Sequence, residues 1–262
     1  MGEIIAVTNQ KGGVGKTTTC VNLAASLAAA NRRVLVVDLD PQGNATTGCG
    51  VDKEALEITT CDVLLGDAQA KDAITEVEQT GFWILPGNAD LTVAEVRLLQ
   101  EIGRELRLRN ALEPISGLYD YLLIDCPPTI NMLTLNALTA ADGALIPIQC
   151  EYYALEGLSA LLETVKQVRN TVNHRLRIKG LLRTMYDPRN KLANEVSDQL
   201  VRHFGDKVYA TVIPRNVRLA EAPSFGVPAM YHDHGSRGAQ AYMALAQEII
   251  ARESEDTIVG VA

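Results

Sequence analysis

The fold is decided by the stretch NQKGGVGKTT at residues 9–18, which lies between two different patterns of apolar residues. The run EIIAVT at 3–8 has strand length, and KTTTCVNLAASLAAA at 16–30 is typical of a helix. The glycines between them allow consecutive backbone N–H groups to turn toward one point, where the helix N-terminus adds partial positive charge. A strand, a glycine-rich loop and a helix in this order predict a phosphate-binding site.

The end of this stretch matches the phosphate-loop pattern G-x-x-x-x-G-K-[ST], but its beginning does not. Gln10 stands where the pattern has its first glycine, and a second lysine, Lys11, follows it. Lys16 is expected to neutralise the β and γ phosphates of a nucleotide, and the Thr17 hydroxyl to coordinate Mg²⁺. A glycine-rich turn without a ligand is the alternative, which the complete G-K-T-T ending disfavours. The loop residues expected to bind nucleotide are Gly12, Gly13, Val14, Gly15, Lys16, Thr17 and Thr18.

Apolar runs of strand length alternate with helical patterns along the rest of the chain, and most runs lack strict apolar–polar alternation. Such runs are typical of strands buried on both faces, and their alternation with helices predicts parallel pairing. We therefore expect an α/β fold with a doubly wound, mostly parallel sheet and helices on both faces. The predicted strands are 3–8, 33–40, 82–87, 119–128, 143–149, 178–186 and 207–215. The predicted helices are 16–30, 92–113, 131–141, 155–172, 190–204 and 237–252.

One domain is expected to contain residues 1–262, because this length suits a single large α/β core and no linker, repeat or low-complexity tract interrupts it. The ending ESEDTIVGVA at 253–262 is acidic at its start and is expected to fray. Because the phosphate loop begins at residue 9, we expect no separate N-terminal helix-turn-helix domain.

The five cysteines show no C-x-x-C pair and no zinc-finger spacing, which argues against a disulfide framework or a structural metal site. The N-terminus lacks the basic segment of a signal peptide, and no apolar run is long enough to span a membrane. Ala6 stands where a myristoylation signal requires Ser or Thr. We therefore expect a protein of the reducing cytoplasm.

The formal net charge of −8 argues against a nucleic-acid partner until its distribution is considered. Residues 166–218 contain twelve Lys and Arg against four Asp and Glu, so half of the basic residues occupy a fifth of the chain. Two interpretations remain open: a surface for nucleic acid, or solvated charges scattered over several faces.

Acidic residues follow two of the predicted strands. Asp38 and Asp40 end the second strand, and their spacing of two places both carboxylates on one side if the chain stays extended. Either could instead be a turn former. Asp125 follows the run YLLI in a Walker B arrangement, in which a strand-end carboxylate holds Mg²⁺ or its water. Cys126 is expected to pack in the core, because no second cysteine stands at the spacing of an iron–sulfur site.

Five separated segments resemble the ParA and MinD group of P-loop ATPases, which carry a deviant Walker A motif, and within it the ParA-type, Soj-like partitioning proteins. The segments are KGGVGKTT (11–18), VDLDPQGNATTG (37–48), IDCPP (124–128), IQCEYYALEGL (148–158) and VIPRNVRLAEAPSFG (212–226). They span nearly the whole chain. The resemblance implies the fold of a P-loop NTPase.

The resemblance also implies roles for individual residues. Lys16 resembles the lysine that acts on the nucleotide of its own subunit, and Lys11 the signature lysine that reaches the phosphates bound by a partner subunit. A solvated loop lysine is the alternative for Lys11. Asp40 matches the switch I aspartate that orients the attacking water, which makes Lys11, Lys16 and Asp40 the catalytic candidates. Pro214 and Asn216 resemble the adenine-recognition turn.

The metal ligands implied in this way are Thr17 and Asp40, with Asp125 acting through a water molecule and Asp38 lying nearer the outer shell. The function implied is that of a Mg²⁺-dependent ATPase that converts ATP and water to ADP and phosphate. It would form a homodimer on ATP, bind double-stranded DNA without sequence preference, and be reset by a ParB-type partner. Arg189 and Arg218 resemble positions that contact DNA phosphates, which implies a cytoplasmic, nucleoid-associated protein.

The alternative is a MinD-like ATPase that binds membranes and positions the division site. That function requires a C-terminal amphipathic helix rich in Lys and Arg. The end of this chain has Arg252 against Glu248, Glu253, Glu255 and Asp256, so a membrane partner is not expected.

Overall fold

Within residues 2–259, which a computed structural model describes, with side chains to residue 254, eight strands form one sheet. The strands are β1 (Glu3–Val7), β2 (Val34–Asp38), β3 (Thr75–Glu76), β4 (Trp83–Leu85), β5 (Tyr121–Asp125), β6 (Gly143–Gln149), β7 (Arg177–Tyr186) and β8 (Val208–Pro214). Their order across the sheet is β3-β4-β2-β5-β1-β6-β7-β8. All neighbouring pairs are parallel except β3 with β4. The predicted mostly parallel sheet is confirmed.

Helices cover both faces of this sheet. They are α1 (Lys16–Ala29), α2 (Asn44–Gly48), α3 (Thr60–Leu65), α4 (Ala70–Ala73), α5 (Leu91–Leu98), α6 (Arg107–Leu112), α7 (Met132–Ala140), α8 (Ala154–Thr171), α9 (Lys191–Phe204), α10 (Val217–Glu221), α11 (Ala229–His232) and α12 (Arg237–Val259). Alternate residues of β1 enter different cores: Ile4 packs with α5 to α8, and Ile5 packs with α1 and α12. The central strands β1, β2, β5 and β6 are buried on both sides, as their continuous apolar runs predict.

One helix prediction was wrong. The pattern at 92–113 does not form one helix, because α5 ends at Leu98 and Gly103 then adopts a left-handed φ of 66° before α6. Helix α12 continues past residue 253 to Val259, and the fraying expected at this end stays a prediction. The Glu253 carboxylate accepts hydrogen bonds from the Tyr121 hydroxyl and from Lys179 Nζ, which hold this part of the helix against the sheet. Residues 260–262 lie outside the described part of the chain.

The parallel register aligns the functional candidates at the carboxyl edge of the sheet. Asp125 at the end of β5 lies opposite Val7 of β1 and opposite Asp38 of β2. On the far side of the sheet, Tyr186 of β7 lies opposite Pro214 of β8. The loops that follow these strands therefore meet at one edge, where ligands of open α/β sheets bind. Among the described helices, none combines the length and apolar character needed to cross a membrane.

Candidate nucleotide-binding site

The loop between β1 and α1 has the backbone geometry of an anion cradle. Gly13 and Gly15 adopt left-handed φ values of 73° and 89°, which side chains disfavour. Gly15 is the N-cap of α1 and offers no side chain to the N–H groups of the first turn, which leaves these donors to an anionic ligand. A Cβ added to Gly12 would meet no atom of this chain within 4 Å, so the loop is open on that side.

Lys16 is the buried cation of the loop. It is only 6% exposed, and its Nζ donates to the Lys11 carbonyl oxygen at 3.3 Å. Burial lowers the pKa of Lys16, and the nearby carboxylates of Asp125 and Asp40 oppose that change. The ammonium group therefore lies where it can offset both protein carboxylates and nucleotide phosphates.

The buried carboxylates of Asp125 and Asp40 lie near Lys16, and that of Asp38 lies next to Asp125. Asp38 and Asp125 are fully buried, and Asp40 is nearly so. Burial raises the pKa of Asp38 to about 6, although hydrogen bonds from the Thr46 hydroxyl and backbone N–H oppose the rise. Burial and the Asp38 charge raise the pKa of Asp125 well above its usual value. Lys16 alone therefore does not balance the three carboxylates in their ionised forms.

This arrangement fits a divalent cation bound together with a phosphate. Asp125 Oδ2 is buried without a hydrogen-bond partner among the described residues, and the Thr17 side chain lies close enough to lower the pKa of this carboxyl. The described residues contain no cluster of three or more acidic, His or Cys side chains able to hold a metal by themselves. Mg²⁺ commonly uses one or two protein oxygens plus phosphates and waters. Thr17, Asp40 and Asp125 suit that mode.

A cavity of about 600 Å³ joins the loop to segments almost 200 residues away. Its wall contains most of the residues predicted to bind nucleotide, which are Gly12, Gly13, Gly15, Lys16, Thr17, Thr18, Asp40, Pro214 and Asn216. The predicted phosphate end and the predicted adenine turn therefore face one space. A volume of this size suits a small-molecule ligand.

Three of the predicted residues lie beside the cavity and not in its wall. The Val14 side chain is buried, and its carbonyl oxygen accepts a hydrogen bond from the Thr184 hydroxyl at 2.8 Å. Asp125 lies beneath the loop, and Lys11 projects outward with a half-exposed side chain that forms an ion pair with Glu151. The Lys11 side chain therefore pairs with Glu151 and does not form part of the cavity wall.

Other residues of the wall were missed from the sequence. Met185 is the clearest case, because it lines the cavity with a left-handed φ of 47° that a non-glycine residue seldom adopts. No residue pattern signals such strain. The remaining missed members are Gln42, Asn44, Pro128, Thr184, Ile213, Arg215, Leu219, Ala220 and Tyr242.

The two residues predicted to contact DNA are exposed, but each forms an ion pair with an acidic neighbour. Arg189, with an 88% exposed side chain, pairs with Asp187 at 2.8 Å. Arg218 pairs with Glu221 at 2.8 Å and with Asp233 at 3.3 Å. Their role in DNA binding stays a prediction.

Comparison with known proteins shows which family this chain resembles. A family model described as "AAA domain" matches residues 2–178. The sporulation initiation inhibitor protein Soj of Bacillus subtilis is 53% identical, covering 96% of this chain and 99% of Soj. The chromosome partitioning protein ParA of Caulobacter vibrioides is 51% identical, covering 97% and 96%.

Two solved structures share the fold over almost the whole chain. Cobyrinic acid a,c-diamide synthase from Mycobacterium smegmatis, with bound ADP and magnesium, has a TM-score of 0.83 at 39% identity and covers 94% of this chain and 93% of that one. The septum site-determining protein MinD from Pyrococcus horikoshii, complexed with Mg-ADP, has a TM-score of 0.78 at 30% identity and covers 95% and 96%. Their names describe different activities, so the shared feature is the nucleotide-binding fold.

The fold, the glycine-rich loop and the cavity define a P-loop ATPase. The full-length relatives narrow the class further: the chain belongs to the ParA/Soj family of chromosome-partitioning ATPases. The resemblance noted from the five sequence segments is confirmed.

Proposed function

We propose that this protein is an ATP-driven DNA segregation switch. In this proposal it binds ATP with Mg²⁺, forms a sandwich dimer, holds DNA without sequence preference, and is reset by hydrolysis that a ParB-type partner stimulates. The observation that carries the proposal is the single cavity shared by the phosphate loop, Asp40 and the turn at Pro214 and Asn216. The protein would act in the cytoplasm, on the nucleoid.

The base end of the cavity suits adenine. Asn216 Oδ1 accepts the Arg218 backbone N–H at 3.0 Å and so caps α10, which fixes the orientation of the side-chain amide. Its Nδ2 atom can then donate to a ring nitrogen of a purine. Ile213, Pro214 and Leu219 supply apolar surface for the ring face.

At the phosphate end, the loop N–H groups and Lys16 bind the β and γ phosphates. Asp40 Oδ1 accepts a hydrogen bond from the Gln42 backbone N–H at 3.0 Å, and this bond fixes the orientation of the carboxylate. We assign its other oxygen to the attacking water, as a group that orients the nucleophile for in-line displacement. Mg²⁺, held through Thr17, Asp40 and a water on Asp125, would neutralise charge on the phosphates.

The surface position of Lys11 supports a role in a second subunit. Within one chain its ammonium group pairs with Glu151 at the surface, and the residue does not line the cavity. Gly12 beside it leaves open space, as a closely approaching partner requires. A cation placed at the partner's transferring phosphate would stabilise developing charge and make dimerisation depend on ATP.

The contacts of the C-terminal helix α12 favour the segregation function over the MinD-like alternative. Arg252, the basic residue that a membrane contact would need, donates instead to the carbonyl oxygens of Asp206 and Val208 and pairs with Glu248. The Glu248 carboxylate in turn accepts two backbone N–H groups of β8. These charges hold α12 on the sheet.

Co-sedimentation separates the two functions. The protein is mixed with ATP and Mg²⁺ and pelleted with either DNA-coated beads or liposomes of anionic lipid. We expect ATP-dependent recovery on DNA and none on liposomes. Recovery on liposomes and not on DNA would contradict the segregation function and favour the MinD-like one.

A further inference from the structure

Two segments of the nucleotide cavity continue directly into the surface that carries the predicted DNA contacts. β7 brings Thr184 and Met185 to the cavity wall and ends at Tyr186, and the turn to Arg189 follows. β8 ends at Pro214, opposite Tyr186, and Arg215 follows it. The sheet register therefore places the start of the Arg189 turn beside Arg215.

Arg215 differs from its two neighbouring arginines in its charge balance. Asp187 pairs with Arg189, and Glu221 with Arg218. Arg215 is exposed and forms no ion pair with the side chains that the structure describes. It still lies close enough to Asp187 to contribute to that residue's low pKa of about 2, for which Arg189 is the main cause. The uncompensated charge at this edge is therefore that of Arg215.

We infer that Arg215 is a further phosphate-binding residue, and that its ligand is the backbone of double-stranded DNA held beside Arg189 and Arg218. This inference rests on the proposed DNA-binding function. An exposed guanidinium without a carboxylate partner can donate two parallel hydrogen bonds to a phosphate, and such contacts position DNA without reading its sequence. No internal ion pair must first be broken.

The bound nucleotide is the other source of phosphate near this residue, because Arg215 also lines the cavity. Its position favours DNA. Arg215 adjoins the adenine turn at Pro214 and Asn216, whereas the phosphate end is formed by the loop around Lys16. Because Arg215 belongs both to the cavity wall and to this surface, a change in the wall on nucleotide binding would also move a DNA-binding residue.

The test compares Arg215→Gln with Arg175→Gln as a matched control. Arg175 is also exposed and also forms no ion pair with the described side chains, but it precedes β7, at the opposite edge of the sheet and about 30 Å from Tyr186 at the rise of a strand. DNA affinity is measured by fluorescence anisotropy with ATP across a salt series. ATP affinity is measured separately with a fluorescent analogue.

In Arg215→Gln we expect weaker DNA binding and a plot of log K against log salt that is shallower by about 0.9 per lost phosphate contact. DNA affinity should fall much more than ATP affinity, and Arg175→Gln should match the wild type. Equal losses of ATP and DNA affinity would assign Arg215 to the bound nucleotide. If Arg215→Gln kept the DNA affinity and the salt slope of the wild type, Arg215 would not be a DNA contact. A wild type that binds no DNA with ATP would overturn the proposed function together with the inference.

Asp187→Asn supplies a second variant that gains affinity. Asparagine keeps the Oδ1 atom that accepts the Arg189 backbone N–H at 3.0 Å, so the turn is preserved while its charge is lost. We expect tighter DNA binding and a steeper salt slope, because Arg189 is released beside Arg215. Unchanged or weaker DNA binding in Asp187→Asn would contradict a phosphate-binding surface at this edge of the sheet.

Discussion

Lys179→Met tests how much of the basic segment at 166–218 is structural. The Lys179 side chain is 6% exposed, and its Nζ lies 2.5 Å from Glu3 Oε2 and 3.0 Å from Glu253 Oε1. Methionine keeps the apolar stem but leaves the Glu3 and Glu253 carboxylates facing each other, with the exposed Arg177 still paired with Glu3. Removing one partner of a buried ion pair costs about 3–5 kcal/mol. Because Glu3 and Glu253 are 16% and 32% exposed, the expected loss is near the lower end, about 3 kcal/mol.

Arg177→Met is the matched control, since Arg177 pairs with the same Glu3 at 3.0 Å but is 53% exposed. Solvent screens this pair, so its loss should cost about 0–1 kcal/mol. Urea unfolding of the nucleotide-free proteins measures both values, and thermal unfolding should show a fall of roughly 6–12 °C for Lys179→Met. Equal losses in the two variants, or a loss below about 1 kcal/mol in Lys179→Met, would refute the reasoning.

Further variants separate the roles of the loop residues. Lys16→Ala should abolish nucleotide binding, whereas Lys11→Ala should keep it and lose ATP-dependent dimerisation, which light scattering detects; normal dimers of Lys11→Ala would contradict the cross-subunit role. Asp40→Ala should slow phosphate release by about 10²–10⁴-fold and prolong the ATP dimer, and wild-type turnover would move the water-orienting role elsewhere. Gly12→Val should keep the wild-type Tm, because its Cβ meets no atom of this chain within 4 Å, but should lose the dimer; a lowered Tm would show that the loop itself is obstructed.

The strands and the phosphate loop were predictable because their signals are local. The predicted strand at 143–149 coincides with β6, and the other long strands differ from their predicted bounds by a few residues. The break after α5 was not predictable from apolar spacing, since the left-handed Gly103 interrupts a pattern that continues on both sides. The two-residue β3 is too short to carry a pattern.

The site residues that belong to a sequence motif were predictable. Those whose role depends on tertiary contacts were not. Residue types and spacing indicated the loop and the strand-end carboxylates, whereas the turn at Asn216 depended on resemblance. Some of the basic residues counted at 166–218 have structural roles. Lys179 holds α12 to the sheet, and Arg183 donates a hydrogen bond to the Tyr209 carbonyl oxygen. Only pairing in three dimensions distinguishes such residues from Arg215.

The most direct test of the account is the salt dependence of DNA binding in the ATP and ADP states, measured by anisotropy on two duplexes of unrelated sequence. Asp40→Ala is used for the ATP state, so that hydrolysis does not deplete the dimer during the titration. We predict binding with ATP that is equal on both duplexes and falls steeply with salt, and little binding with ADP. Equal affinity in the two nucleotide states, or affinity that does not change with salt, would contradict an ATP-switched electrostatic hold on DNA.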